Sequence, residues 1–189
     1  MKILDRYTDL LEGSGEGYCI GLFLPESDEL LEIQRIVQSY LNDHFPREAF
    51  YHQWMPSEWG ISLSLGFPRP IPVGHCEELV KNTVTKWFHH LDSFGIKGAS
   101  SIVYDEIIFS VGQRFDKFTG RAMITAFQWF DQLNSTHGLL NDKQHILALN
   151  PKAQDLLQVK QLMKAEEDPE RSWSVLHYGP YQPDLFTSA

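Results

Sequence analysis

Histidines, cysteines and a tight glycine run are the residues from which chemistry would have to be built in this 189-residue chain. The eight histidines are His44, His52, His75, His89, His90, His137, His145 and His177. A metal site announces itself by ligands on one face, such as i and i+4 on a helix, or by Cys-x-x-Cys. No two histidines stand four apart, and Cys-x-x-Cys is absent. His89 and Asp92, three apart, come nearest and read as a helix-surface pair, so no metal is implied. No histidine has Ser or Thr two positions later, which removes the paired His-x-Thr/Ser strands of a two-histidine phosphoesterase.

Nucleophiles fare no better. Gly60-Ile61-Ser62-Leu63-Ser64 lacks the second glycine of a nucleophile elbow. Cys76 follows His75 at a helix start, where the dipole would lower a thiol pKa; it is the one potentially activated nucleophile. The plainer reading is a small residue at a helix entrance, because neighbours in sequence splay apart. Asp105 and Glu106 are adjacent on a strand and point to opposite faces, which argues against a carboxylate dyad. The run Gly13-Ser14-Gly15-Glu16-Gly17 invites a phosphate-loop reading, yet that loop needs a strand before the glycines and a helix after them. Here a helix comes first and a strand second, and Glu16 would repel phosphate. The run reads as a flexible turn, and no cofactor is implied.

The elements that must position these residues follow from periodicity. Asp5 to Leu11 reads as a short leading helix, and Tyr18 to Leu24 as a continuous apolar strand stopped by Pro25. Ser27 caps a helix with Asp28 and Glu29 in its first turn, where the dipole favours them. Leu30, Ile33, Val37, Tyr40 and Leu41 form its apolar stripe; Glu32 and Arg35 lie away from it. Phe45 to Ser57 is loop-like, with Pro46 and Pro56 around aromatic residues. Gly60 to Phe67 alternates as a half-buried strand. Glu77 to Phe94 is a long helix with Val80, Val84, Trp87, Phe88 and Leu91 as its stripe, ended by Gly95. Ile102 to Val111 is a strand, Arg121 to Leu133 a helix, and His145 to Leu149 a short strand. Asn150 and Pro151 then open a helix expected to run to Ala165, burying Leu156, Leu157, Val159 and Met163. Trp173 to Tyr178 closes the pattern as a strand, and 179–189 is an irregular tail. The fold class expected is α+β: a single domain over 1–189, with a mixed or mostly antiparallel sheet and three to four packed helices.

Charge supplies the remaining signal. Sixteen Lys and Arg against 25 Asp and Glu give a formal net charge of −9, which disfavours nucleic acid as a partner. Cys19 and Cys76 lie in or beside apolar segments and read as free thiols in a reducing, cytoplasmic setting. No leader, membrane span or lipid signal is legible, so no membrane partner is expected. Acidic groups (Asp28, Glu29, Glu32, Glu166, Glu167, Asp168) recur beside loop-like aromatics, among them Tyr51, Trp54 and Trp59. Aromatic anchors ringed by acid suit a basic protein surface. The leading expectation is therefore a non-catalytic intracellular binding protein, such as an immunity or inhibitor protein that masks a basic toxin or nuclease. The alternative is a small-molecule or nucleotide enzyme using His145 or the His75/Cys76 pair.

Overall fold

A computed structural model describes residues 12–25, 32, 35, 39, 52–57, 60–68, 75–110, 117–128, 144–159, 163–164 and 174–178. The strands are β1 (Glu12–Pro25), β2 (His52–Ser57), β3 (Gly60–Pro68), β4 (Ala99–Ser110), β5 (Lys117–Thr119), β6 (His145–Leu149), β7 (Met163–Lys164) and β8 (Ser174–Tyr178). Helix α1 spans His75–Ser93, α2 covers 121–128, and α3 spans Pro151–Leu157. Residues 32, 35 and 39 are also helical, and all three are exposed. The eight strands form one sheet in the order β2-β3-β1-β4-β6-β8-β7, with β5 added to β4. Only β4 and β6 run parallel; every other pair is antiparallel. The expected α+β class with a mostly antiparallel mixed sheet is the one found.

Strand β1 is central and is buried on both faces, which is why Tyr18 to Leu24 is apolar without alternation. Tyr18, Ile20, Leu22 and Leu24 pack with Ile102, Leu147 and Leu149 against the stripe of α1 and against Ala153 and Leu157 of α3. On the opposite face Cys19, Val103 and Ile107 meet Ala122 and Ala126 of α2. Val80, Val84, Trp87, Phe88 and Leu91, five positions at helical period, are each at most 1% exposed. Burying five such side chains contributes on the order of 10 kcal/mol before conformational entropy is charged. Helix α1 stops where Gly95 turns left-handed (φ 70°) and the Ile96 N–H reaches back to the Leu91 carbonyl.

Three local expectations are corrected. The glycine run is strand, not turn: Gly13, Gly15 and Gly17 stand opposite Phe109, Ile107 and Asp105 of β4. Its backbone groups find partners along a long neighbour, and this outweighs the low strand propensity of glycine. The loop expected up to Ser57 contains β2, with Trp54 opposite Leu63 and Pro56 opposite Ile61. Proline is admissible there because β2 lies at the sheet edge. The helix expected to reach Ala165 ends at Leu157. Gln158 adopts the left-handed conformation (φ 55°, ψ 38°), and the Val159 N–H bonds the Gln154 carbonyl. Val159 is buried beyond the helix, Leu156 is 40% exposed, and Met163 belongs to β7. The expected leading helix over Asp5 to Leu11 and the tail at 179–189 lie outside the described residues.

Candidate functional site

Two polar constellations stand at opposite ends of the parallel pair β4/β6. The first is at the amino ends and is enclosed. His145, the first residue of β6, is fully buried and stacks on Phe88 with ring centroids 4.4 Å apart. Its Nδ1 accepts the Gly98 N–H at 3.1 Å, so in the neutral ring the proton sits on Nε2, which donates to Asp92 Oδ1 at 2.9 Å. Asp92 is also ion-paired with Lys97. Burial pushes the His145 pKa below its ordinary value despite the facing carboxylate. Burial alone would raise Asp92; the hydrogen bonds and charges of Lys97 and His145 outweigh it and hold the carboxyl below its ordinary value. At this end the ring, the carboxylate and the ammonium are engaged with one another and with the backbone.

The second constellation is open, and the strand pairing builds it. Strand β1 occupies one edge of β4 along its length. The other edge is shared: β6 pairs at Ala99–Ile102 and β5 only at Ile108–Ser110. Between them, among the described residues, the β4 edge forms a notch. Asn150, leaving β6, fills its near side by imitating a strand. Its Oδ1 accepts from the Tyr104 N–H at 3.1 Å, its Nδ2 donates to the Tyr104 carbonyl at 3.2 Å, and its own N–H reaches the Ile102 carbonyl at 3.2 Å. The same Oδ1 caps α3 by accepting the Ala153 N–H at 3.0 Å. On the far side Gly120 (φ 121°) lies so close to β4 that an added Cβ would stand 2.5 Å from the Glu106 carbonyl oxygen. Only glycine permits that approach, and the approach sets Arg121 on the notch.

Side chains at the notch carry both signs of charge. Arg121 reaches Asp105 at 3.4 Å and Glu106 at 3.6 Å, so one guanidinium bridges two carboxylates that alternation alone would send to opposite faces. Lys152 of α3 bonds Glu16 of β1 at 2.5 Å and stands 4.9 Å from the centre of the Tyr104 ring. The Glu16 hydrogen bond raises the Lys152 pKa, which keeps the ammonium charged. Tyr104 meets Tyr18 edge to face at 4.7 Å, and the Tyr18 hydroxyl donates to Glu77 at 3.0 Å. Burial and that carboxylate push the Tyr18 phenol well above its ordinary pKa, so it remains a donor. The Lys152 ammonium thus stands over the Tyr104 ring, and the Arg121 guanidinium holds the two carboxylates that follow Tyr104 on β4.

The sequence singled out other residues. His75 is exposed at the start of α1, whereas His145 packs at its end. Some 17 helical residues separate His75 from Asp92, about 25 Å of axial rise, so the two histidines do not share a site. Cys76 is buried, and burial with the neighbouring Glu77 pushes its thiol up to about 12, the reverse of activation. Both cysteines are free thiols. His89 is exposed, and Asp92 turns to Lys97 and His145. Among the proposed binding residues, Glu32 is exposed and pairs with Arg35 at 3.6 Å, and Trp54 lies on β2. Tyr51, Trp59, Asp28, Glu29, Glu166, Glu167 and Asp168 lie outside the described residues. Sequence reasoning missed Tyr104, Arg121 and Lys152 as site residues. A signal did exist: Asn150-Pro151 at the end of a short apolar strand marks a βα turn, the usual place for ligand groups.

No family model matches the chain, and no curated protein matches it in sequence. Solved structures do match its fold. The chain is similar to the guanylyl cyclase Cya2 at 10% identity and TM-score 0.56, over 93% of this chain and all of that one. It is similar to a bacterial light-regulated adenylyl cyclase at 9% identity and TM-score 0.56, covering 94% of this chain and 57% of that larger one. It is also similar, at 9% identity and TM-score 0.54, to the catalytic core of a rhodopsin-guanylyl cyclase with converted specificity, in complex with ATPαS; 89% and 98% of the two chains are covered. The fold is that of the nucleotide cyclase domains. This overturns the expectation of a non-catalytic immunity or inhibitor protein. Acidic bias and aromatic residues near loops are features that many folds share. No described helix is long and apolar enough to cross a membrane.

Proposed function

We propose that the chain is a nucleotide-handling enzyme domain and that its ligand is a nucleoside triphosphate. One observation carries this reading: nearly the whole chain, 93% of it, follows the course of a guanylyl cyclase. A related core with that course was solved in complex with ATPαS. The notch offers chemistry that suits such a ligand. Arg121 presents a planar fork for phosphate oxygens, Lys152 a compact positive charge, and Tyr104 an aromatic surface beneath that ammonium. The Arg121 and Lys152 side chains are 70% and 51% exposed, and ion pairs that open contribute little to stability. Exchanging a carboxylate for a phosphate there costs little.

Phosphoryl chemistry ordinarily recruits divalent cations held on carboxylates. The notch carboxylates are each engaged by a side-chain cation, Glu16 by Lys152 and both Asp105 and Glu106 by Arg121. Among the described residues no group of three or more His, Cys, Asp or Glu is placed to hold a metal ion. The described residues do not fit a resident metal, and no step is derived through one. What they do is bind and orient a polyanion. The test is thermal melting with ATP, GTP, CTP and UTP in turn, followed by chromatography for cyclic monophosphate and other products. A raised melting temperature with at least one triphosphate is expected, and none with any of the four overturns the reading.

A further inference from the structure

The geometry points to an acid-released latch: the His145 side chain is the first rung of the β4–β6 ladder, and protonating it unfastens the turn between α1 and β4. A parallel ladder is ordinarily built from backbone groups alone. Here the first backbone rung, Ile146 N–H to the Gly98 carbonyl at 3.2 Å, is doubled by a side-chain rung, Gly98 N–H to His145 Nδ1 at 3.1 Å. Gly98 is held from β6 through both of its polar groups. Lys97 and the last turn of α1 are tied in by the same ring, since His145 Nε2 holds Asp92, and Asp92 holds Lys97. Phe88 fixes the plane of the ring by stacking on it.

The arrangement is selective for one protonation state. A neutral ring with its proton on Nε2 satisfies Gly98 and Asp92 together. A second proton must go on Nδ1, which faces the Gly98 N–H; two donors then oppose each other and that rung is lost. The groups that face the ring decide how readily this occurs. From α1 comes the Asp92 carboxylate, which favours the cation. From the turn come the Lys97 ammonium, which opposes it, and the Gly98 N–H, which already occupies the Nδ1 lone pair that a second proton would need. From β8, Tyr178 stands opposite His145 in register. Complete burial of the ring opposes the charge as well, which agrees with a folded-state pKa below the ordinary 6.5.

The sign follows. The unfolded chain binds the proton at higher pH than the latch does, so the latch is at full strength above about pH 6.5 and weakens as pH falls towards the folded-state value. Over that window the closed-to-open equilibrium falls by up to tenfold per pH unit for one proton. Release is local, because Asp92, Lys97 and Gly98 are tied through the ring, whereas residues 94–96 bond back to the α1 carbonyls of Leu91 and Asp92.

The test is NMR on the full chain from pH 8 to pH 4.5. His145 ring nitrogen shifts report its protonation, and exchange protection factors are read at Gly98, Ile146 and Val84. The expected result is an Nε2-protonated neutral ring at pH 8. As the ring gains its second proton, protection should fall at Gly98 and Ile146 while Val84 stays protected. His145→Gln, which does not titrate, should show no such step. Protection that persists through ring protonation, or that falls equally at Val84, overturns the latch. So does a ring that stays neutral down to pH 4.5. The wild-type titration decides the matter even if the variant does not fold.

Discussion

Asn150→Ala removes the one side chain that does three jobs at the notch, and its cost can be worked from the contacts. Loss of the cap on α3 leaves the Ala153 N–H without its acceptor, which costs about 1 kcal/mol. Loss of the strand mimic leaves the Tyr104 N–H and carbonyl in a part-buried position, at about 1 kcal/mol each. Because one oxygen serves both the cap and the strand, the total is about 2–3 kcal/mol rather than a strict sum. Asn150→Asp separates the contributions. It keeps the acceptor for both N–H groups and gains from the α3 dipole, while it loses the donor to the Tyr104 carbonyl; its cost is about 1 kcal/mol. Urea unfolding with an unchanged slope reads both values from the midpoint. If Asn150→Ala costs less than about 1 kcal/mol, or no more than Asn150→Asp, the notch is not held by this side chain and the reasoning is refuted.

Other consequences are simpler to state. Gly15→Ala should stabilise the fold by about 0.4–1 kcal/mol, since a Cβ there meets nothing within 4 Å; Gly120→Ala should destabilise it by more than about 1 kcal/mol. Chemical denaturation distinguishes the two, and equal effects would contradict the close approach of Gly120 to β4. Asp92→Asn should flatten acid unfolding: the folded carboxyl titrates below 3.8, so its contribution is present above that pH and lost as pH falls through the folded value. A wild-type acid transition that survives the substitution unchanged would assign acid sensitivity elsewhere. Neither thiol should react readily with a disulfide reagent at pH 8 in the native chain, because burial pushes Cys76 up to about 12 and Cys19 further. Both should react at once in denaturant, and rapid native labelling would show that the α1 entrance opens.

How far the sequence reaches depends on whether a feature is local. The α1 stripe, the Gly95 stop, the HILAL strand and the Asn150-Pro151 start are each written in a window of a few residues, and each appears in the structure. The end of α3 is not so written, because Gln158 carries no mark of a left-handed cap, and the amphipathic pattern continues past it. Strand β2 and the glycine half of β1 contradict local propensity and exist because a neighbouring strand accepts their backbone groups. The notch was least legible. Lys152 and Glu16 are 136 positions apart and Arg121 lies between them in sequence; the pairing of Glu16 with Glu106 across β1 and β4 is what brings the three near one another. Histidines drew attention as rare reactive residues, yet the most constrained of them, His145, is used for its two nitrogens in the frame of the fold.

Calorimetric titration with nucleoside triphosphates, comparing the wild type with Arg121→Ala/Lys152→Ala, shows whether the notch binds a triphosphate. Hydrogen bonds to charged groups are worth about 1.5–3 kcal/mol each. Saturable one-to-one binding of at least one triphosphate to the wild type is therefore expected, with at least a tenfold weakening in the double variant. Absence of binding by all four triphosphates, or equal affinity in a folded double variant, would contradict a triphosphate site at the notch.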